Sequence, residues 1–189
     1  MQHLAVKAAS TATDRGTFTA IAAAYTIDRQ NERLAKGAFS DTISKWRASQ
    51  KMLPLHWDHS SSAEDLVGYV DPATMHETDE GLVVRGQLDL EESEVAREAW
   101  RSMKHNAIGL SFGFLTVDSH DDDGVRVLDE VDLFEITLTP SPANADTRIT
   151  EMKSVPDAVP SLDELKARFD RATKDLDLRP APRIVSFDA

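Results

Sequence analysis

Cysteine is absent from the 189 residues. That excludes disulfides, thiolate nucleophiles and cysteine-based zinc sites, and it fits a reducing compartment. Long apolar runs are missing as well, so no segment is expected to cross a membrane as a helix. Residues 1–15 lack the apolar stretch of a secretory leader. Basic side chains are in deficit, with 21 Lys and Arg against 33 Asp and Glu and a formal net charge of −12. A nucleic-acid backbone is therefore not the expected partner, because phosphate affinity needs clustered Lys and Arg. Hydrophobic residues are not scarce: at 41% they suffice for a core and exclude a disordered chain. The expected molecule is a soluble domain whose chemistry comes from serine, histidine and carboxylates.

The acidity is uneven. Residues 1–150 carry 14 basic and 25 acidic side chains, whereas residues 151–189 carry 7 and 8. Val155-Pro156-Asp157-Ala158-Val159-Pro160 reads as a stiff linker. The expected organisation is a body over 1–150, a linker over 151–160 and a tail over 161–189. Ser161 and Glu164 form a capping-box pattern, and Leu162, Leu165, Phe169, Ala172 and Leu176 follow at alternating spacings of three and four. That tail helix either packs back on the body or docks on a partner.

The body reads mainly as strands, over Thr17–Tyr25, Met52–Trp57, Leu66–Val70, Leu82–Leu90, Ile108–Val117, Val125–Leu128 and Val131–Thr139. Asp123-Gly124 is a hairpin signal. Helical spacing of Phe39, Ile43 and Trp46 predicts a helix over Ser40–Ser49, and Val95, Ala99 and Met103 predict a second over Glu91–His105. Strands interrupted by helices without a regular strand-helix rhythm suggest a β-barrel or sandwich decorated by helices.

Three residues carry the candidate chemistry. Ser111 lies in Gly109-Leu110-Ser111-Phe112-Gly113. This matches the nucleophile elbow of α/β-hydrolases in letters only, because strand rather than helix follows the serine. Ser111 shares a strand face with Gly109 and Gly113, a bare face that another chain could approach; the plain alternative is a satisfied strand serine. His59, at a strand-to-loop transition, suits a general base. Its spacing from His56 is that of a metal pair on a helix, but Pro54 and the strand-like flank argue against a helix, so no metal is expected. Glu135 shares a strand face with Leu133 and Thr137, opposite Phe134, Ile136 and Leu138. It is either a surface or ion-pair residue or the group that orients an imidazole. The acidic run Asp121-Asp122-Asp123 fails as a calcium loop, because Ser119 stands at its first ligand position and its flanks are strands.

Together these segments resemble the prohead (capsid maturation) serine proteases of tailed bacteriophages, over about residues 15–150. Asp28-Arg29-Gln30-Asn31 before Lys36-Gly37-Ala38-Phe39 is similar to the family's N-terminal pattern. Leu55-His56-Trp57-Asp58-His59 with Val67-Gly68 resembles its histidine segment, and Gly109-Leu110-Ser111-Phe112-Gly113-Phe114 its nucleophile strand. Leu133-Phe134-Glu135-Ile136-Thr137-Leu138-Thr139 with Pro142-Ala143-Asn144 resembles its glutamate signature. Ser60 stands where the family often has Asp, and Thr137 where it usually has Ser. The resemblance implies a closed β-barrel wrapped by helices, similar to herpesvirus assemblin, and makes the tail beyond residue 150, with its predicted C-terminal helix, a removable or scaffold-docking segment. It implies a serine endopeptidase with Ser111 as nucleophile, His59 as general base and Glu135 orienting the histidine, without a cofactor. It implies action inside the immature capsid, in the host cytoplasm, on scaffold protein, on the scaffold-like region of the major capsid protein precursor, and on itself. Homodimerisation is a further partner relation that it raises. The alternatives from the residues are an inactive assembly module of the same fold and a small-molecule esterase.

Overall fold

Asp123 and Gly124 take φ angles of 53° and 85°, the left-handed pair that a two-residue hairpin turn with matching twist requires. They join two long strands, β7 (Gly109–Asp122) and β8 (Val125–Thr139), which pair antiparallel along their length. The computed structural model describes residues 16–153 and 166–167. The chain divides into two units, Met1–Val155 and Pro156–Ala189, and the strands belong to the first. The expected linker, apart from residues 151–153, and the expected tail helix, apart from the helical Lys166 and Ala167, lie outside the described residues.

The other elements in chain order are β1 (Thr17–Ala24), β2 (Glu32–Leu34), α1 (Ser40–Ser49), β3 (Leu53–Trp57), β4 (Leu66–Val70), β5 (His76–Glu77), β6 (Gly81–Leu88), α2 (Glu94–Lys104) and β9 (Arg148–Lys153). The nine strands among the described residues belong to one sheet. The edge of β8 away from β7 pairs in parallel with β2 at Arg126–Leu128 and with β3 at Ile136–Leu138. From β3 the sheet continues through β4, β6 and β1 to β9. Over residues 16–153 the fold is thus mainly β with two α-helices. No ladder joins β7 to β1 or β9 among the described residues. Across that seam the Thr147 Oγ1 hydroxyl accepts from Leu110 N at 3.3 Å and donates to Leu110 O at 2.8 Å, so a side chain stands in for a ladder bond.

The inner face is apolar. Phe18, Phe39, Leu55, Leu110, Ile136 and Leu138 are buried there. Each such side chain contributes roughly 1.5–3 kcal/mol by leaving water. Helix α2 begins at Glu94, not at the expected Glu91. Ser93 caps it, its Oγ accepting from Ala96 N at 3.1 Å. The two strands expected over 125–139 are one continuous β8. Phe134 departs from the expected apolar face: it has no partner in the ladder, where Gly113 pairs Glu135 and Phe114 pairs Leu133, and it is exposed. This bulge shifts the alternation by one residue, so Leu133 joins Ile136 and Leu138 in the core.

Candidate active site

His59 sits in a strained turn. Strand β3 ends at Trp57, and Ser60 N donates back to Trp57 O at 3.1 Å. The two residues between, Asp58 and His59, have φ angles of 49° and 58°. Neither is glycine, so each costs about 1–3 kcal/mol unless its surroundings hold it. Four hydrogen bonds tie the segment to β8. Asp58 N donates to Leu138 O at 2.9 Å, and Thr139 Oγ1 donates to Asp58 Oδ1 at 2.6 Å. His59 N donates to Thr137 Oγ1 at 3.0 Å, and the same hydroxyl donates to His56 O at 3.1 Å. A hydroxyl at position 137 therefore has a structural task, and threonine performs it.

Ser111 and Glu135 lie on neighbouring strands of the same face. In the β7/β8 ladder Ser111 partners Thr137 and Gly113 partners Glu135, and direct partners point the same way. Both residues are buried, Ser111 at 7% and Glu135 at 8% exposure. The face around Ser111 is covered rather than bare. A Cβ on Gly109 would stand 2.8 Å from Pro142 Cγ, and one on Gly113 would stand 2.4 Å from Phe134 Cε2 and 2.6 Å from Glu135 Cγ. The glycines flanking the serine make room for the protein's own side chains, including the carboxylate itself.

The structure brings His59 and Glu135 together: His59 Nδ1 lies 3.0 Å from Glu135 Oε1. An ionised carboxylate only accepts, so the pair places the proton on Nδ1 and leaves Nε2 with a free lone pair. The His59 side chain is 46% exposed. His59 and Ser111 line one cavity of about 410 Å³, together with Arg29, Phe114, Pro142 and Asn144. No hydrogen bond joins Ser111 Oγ to His59 among the described residues; in enzymes without substrate that contact is often loose. A hydroxyl and a carboxylate-oriented imidazole on one cavity can perform acyl transfer.

Three further residues escape sequence reasoning in their roles. His56 Nε2 lies 3.9 Å from Glu135 Oε2, so the two histidines face one carboxylate. Thr137 holds the histidine turn. Asn144 is a fastener: its Nδ2 donates to Thr26 O at 3.0 Å and its Oδ1 accepts from Asp146 N at 2.9 Å. With Arg29 N donating to Ala143 O at 3.0 Å, it fixes the cavity wall. The acidic turn lies apart, with His120 Nδ1 paired to Asp129 Oδ2 at 2.6 Å. Among the described residues no group of three histidines or carboxylates is placed to hold a metal ion.

A family model described as caudovirus prohead serine protease matches residues 3–160. No curated protein matches the chain. Among solved structures, the varicella-zoster virus protease is 15% identical, with 84% of this chain and 76% of that one covered and a TM-score of 0.40. The KSHV protease in complex with a hexapeptide phosphonate inhibitor is 12% identical, with 85% and 77% covered and a TM-score of 0.47.

Proposed function

The chain belongs to the caudovirus prohead serine protease family and is a serine protease of capsid maturation; on that premise we propose that Ser111, His59 and Glu135 are its catalytic residues. Ser111 Oγ attacks the scissile carbonyl carbon, and His59 Nε2 takes the hydroxyl proton. The carbon–nitrogen bond then breaks, and the departing amine receives that proton from His59. Water, activated by the same nitrogen, hydrolyses the acyl-enzyme. Glu135 keeps Nδ1 protonated and balances the imidazolium that forms between the two transfers.

The observation that supports this reading best is the 3.0 Å contact between His59 Nδ1 and Glu135 Oε1, with His59 lining the same cavity as Ser111. Its substrates are scaffold protein or the scaffold-like region of the major capsid protein precursor, cleaved inside the prohead, and its own chain. Closure of the sheet into a barrel, across the seam that Thr147 bridges, belongs to the same proposal.

Intact-mass measurement after expression with the capsid precursor tests it. Wild type shortens the precursor and itself, and Ser111→Ala, which removes one oxygen from a folded strand, does neither. Cleavage that persists undiminished in Ser111→Ala overturns the assignment. Precursor cleavage without loss of mass from the protease removes only the self-processing part.

A further inference from the structure

The buried carboxylate of Glu135 has two imidazoles against it, and the acyl-transfer mechanism uses one. His59 Nδ1 is 3.0 Å from Oε1, and His56 Nε2 is 3.9 Å from Oε2. Among the described residues these two rings are its only hydrogen-bonding or ion-pair partners. The Glu135 side chain is 11% exposed. A carboxylate so far withdrawn from water needs both oxygens balanced, and what stands at Oε2 is His56.

The tautomer of His56 follows from its surroundings. Its Nδ1 is buried and has no hydrogen-bond partner. A proton there would orphan a donor and would turn the Nε2 lone pair toward a negative oxygen. A proton on Nε2 removes both conflicts and aims an N–H at Glu135 Oε2. Strand β3 fixes the ring's position. His56 partners Thr137 in the parallel ladder, its carbonyl accepts from Thr137 Oγ1 at 3.1 Å, and its side chain is 16% exposed. The 3.9 Å separation exceeds a direct hydrogen bond, so the contact acts by charge and dipole in a site of low dielectric.

We infer that His56 is a positioning residue: its N–H holds Oε2 so that Oε1 stays on His59 Nδ1. This rests on the assignment of Ser111, His59 and Glu135 as the catalytic residues. A carboxylate's terminal torsion is broad and roughly two-fold. Anchored at one oxygen, it swings and misaligns the base; anchored at both, it does not. His56 is not among the residues lining the cavity that Ser111 and His59 share.

The full chain, treated with a dye-tagged fluorophosphonate, tests this without knowledge of the cleavage site. Serine Oγ bonds to phosphorus, fluoride leaves, and His59 takes the hydroxyl proton, so the labelling rate reports activation of the nucleophile. His56→Leu is expected to label about tenfold more slowly. His56→Gln, whose amide N–H can reach the same oxygen, is expected to stay within about threefold of wild type. In a Glu135→Gln background, His56→Leu is expected to cost nothing further, because it acts through a carboxylate already removed. Should His56→Leu fail to fold, His56→Asn, polar but too short to reach Oε2, takes its place. A wild-type rate for His56→Leu overturns the inference. So does an equal loss for Leu and Gln, or a loss that adds to that of Glu135→Gln. Labelling of Ser111→Ala at the wild-type rate overturns the underlying assignment instead.

Discussion

The hydroxyl of Thr137 serves two backbone groups of the histidine turn at once, accepting from His59 N and donating to His56 O. Thr137→Val keeps the shape and leaves the His59 amide without an acceptor at a residue whose φ is already 58°. We expect a loss of about 1–3 kcal/mol in urea unfolding, together with slower fluorophosphonate labelling. Thr137→Ser should lose neither, and equal behaviour of the two variants would remove the hydroxyl from the account. At this scale the sequence is informative where alternation decides. Alternation predicts strand faces for Ser111 and Glu135, and the ladder puts the two on one face. It is uninformative where a partner across the ladder decides. Gly113 reads as an open approach in the sequence, yet its missing Cβ makes room for Glu135 Cγ, a residue on a different strand. His56 reads only as half of a metal-pair spacing with His59 that the strand-like flank argues against, because its relation to Glu135 exists only once β3 lies beside β8.

Elements are legible where a period runs long enough to show. Helix α1 and strand β4 have the bounds that their spacing predicts, Ser40–Ser49 and Leu66–Val70. Strands β2 and β5, of three and two residues, are too short to carry any period. Strand β9 hides for another reason. Its apolar residues Ile149 and Met152 are three apart, a spacing that puts them on opposite faces of a regular strand. A bulge at Thr150 reunites them: Ile149 pairs Ala20 and Met152 pairs Phe18, two residues of one face of β1. The hairpin of β7 and β8 is the element whose turn chemistry is plainest. Gly124 has a φ of 85° and nothing within 4 Å of the place a Cβ would take. Gly124→Ala therefore adds only backbone strain, and should cost about 1 kcal/mol in urea unfolding. The turn is at the far end of the ladder from Ser111, so labelling should proceed at the wild-type rate. A neutral substitution would mean that the hairpin tip relaxes freely, and slower labelling would mean that the ladder transmits the change.

For the whole molecule, composition exposes the absence of thiol chemistry and the run of strand patterns exposes the mainly β class, while the open seam between β7 and β9 has no signature, because a single threonine hydroxyl spans it. The net charge of −12 bears on a protein of a prohead that later fills with DNA. Double-stranded DNA carries about one charge per 1.7 Å of axis, and a binder must offer several free cations to match it. Here many cations are already engaged. Arg33 pairs with Asp122, Arg126 with Glu32, Arg148 with Glu80, Arg101 with Glu98, Lys36 with Asp79 and Lys45 with Asp132. Exposed pairs of this kind add little stability, but each places a carboxylate where a phosphate would have to sit. With a screening length of about 8 Å at physiological salt, the surrounding acidic surface repels a duplex before any one cation can capture it. Fluorescence anisotropy with a labelled duplex should accordingly show no binding at about 50 mM salt, where a protein making several phosphate contacts binds strongly, and nothing further to lose at about 200 mM. Binding that weakens steeply as salt rises over that range would show that the chain gathers its cations into a patch that the acidic body does not cancel.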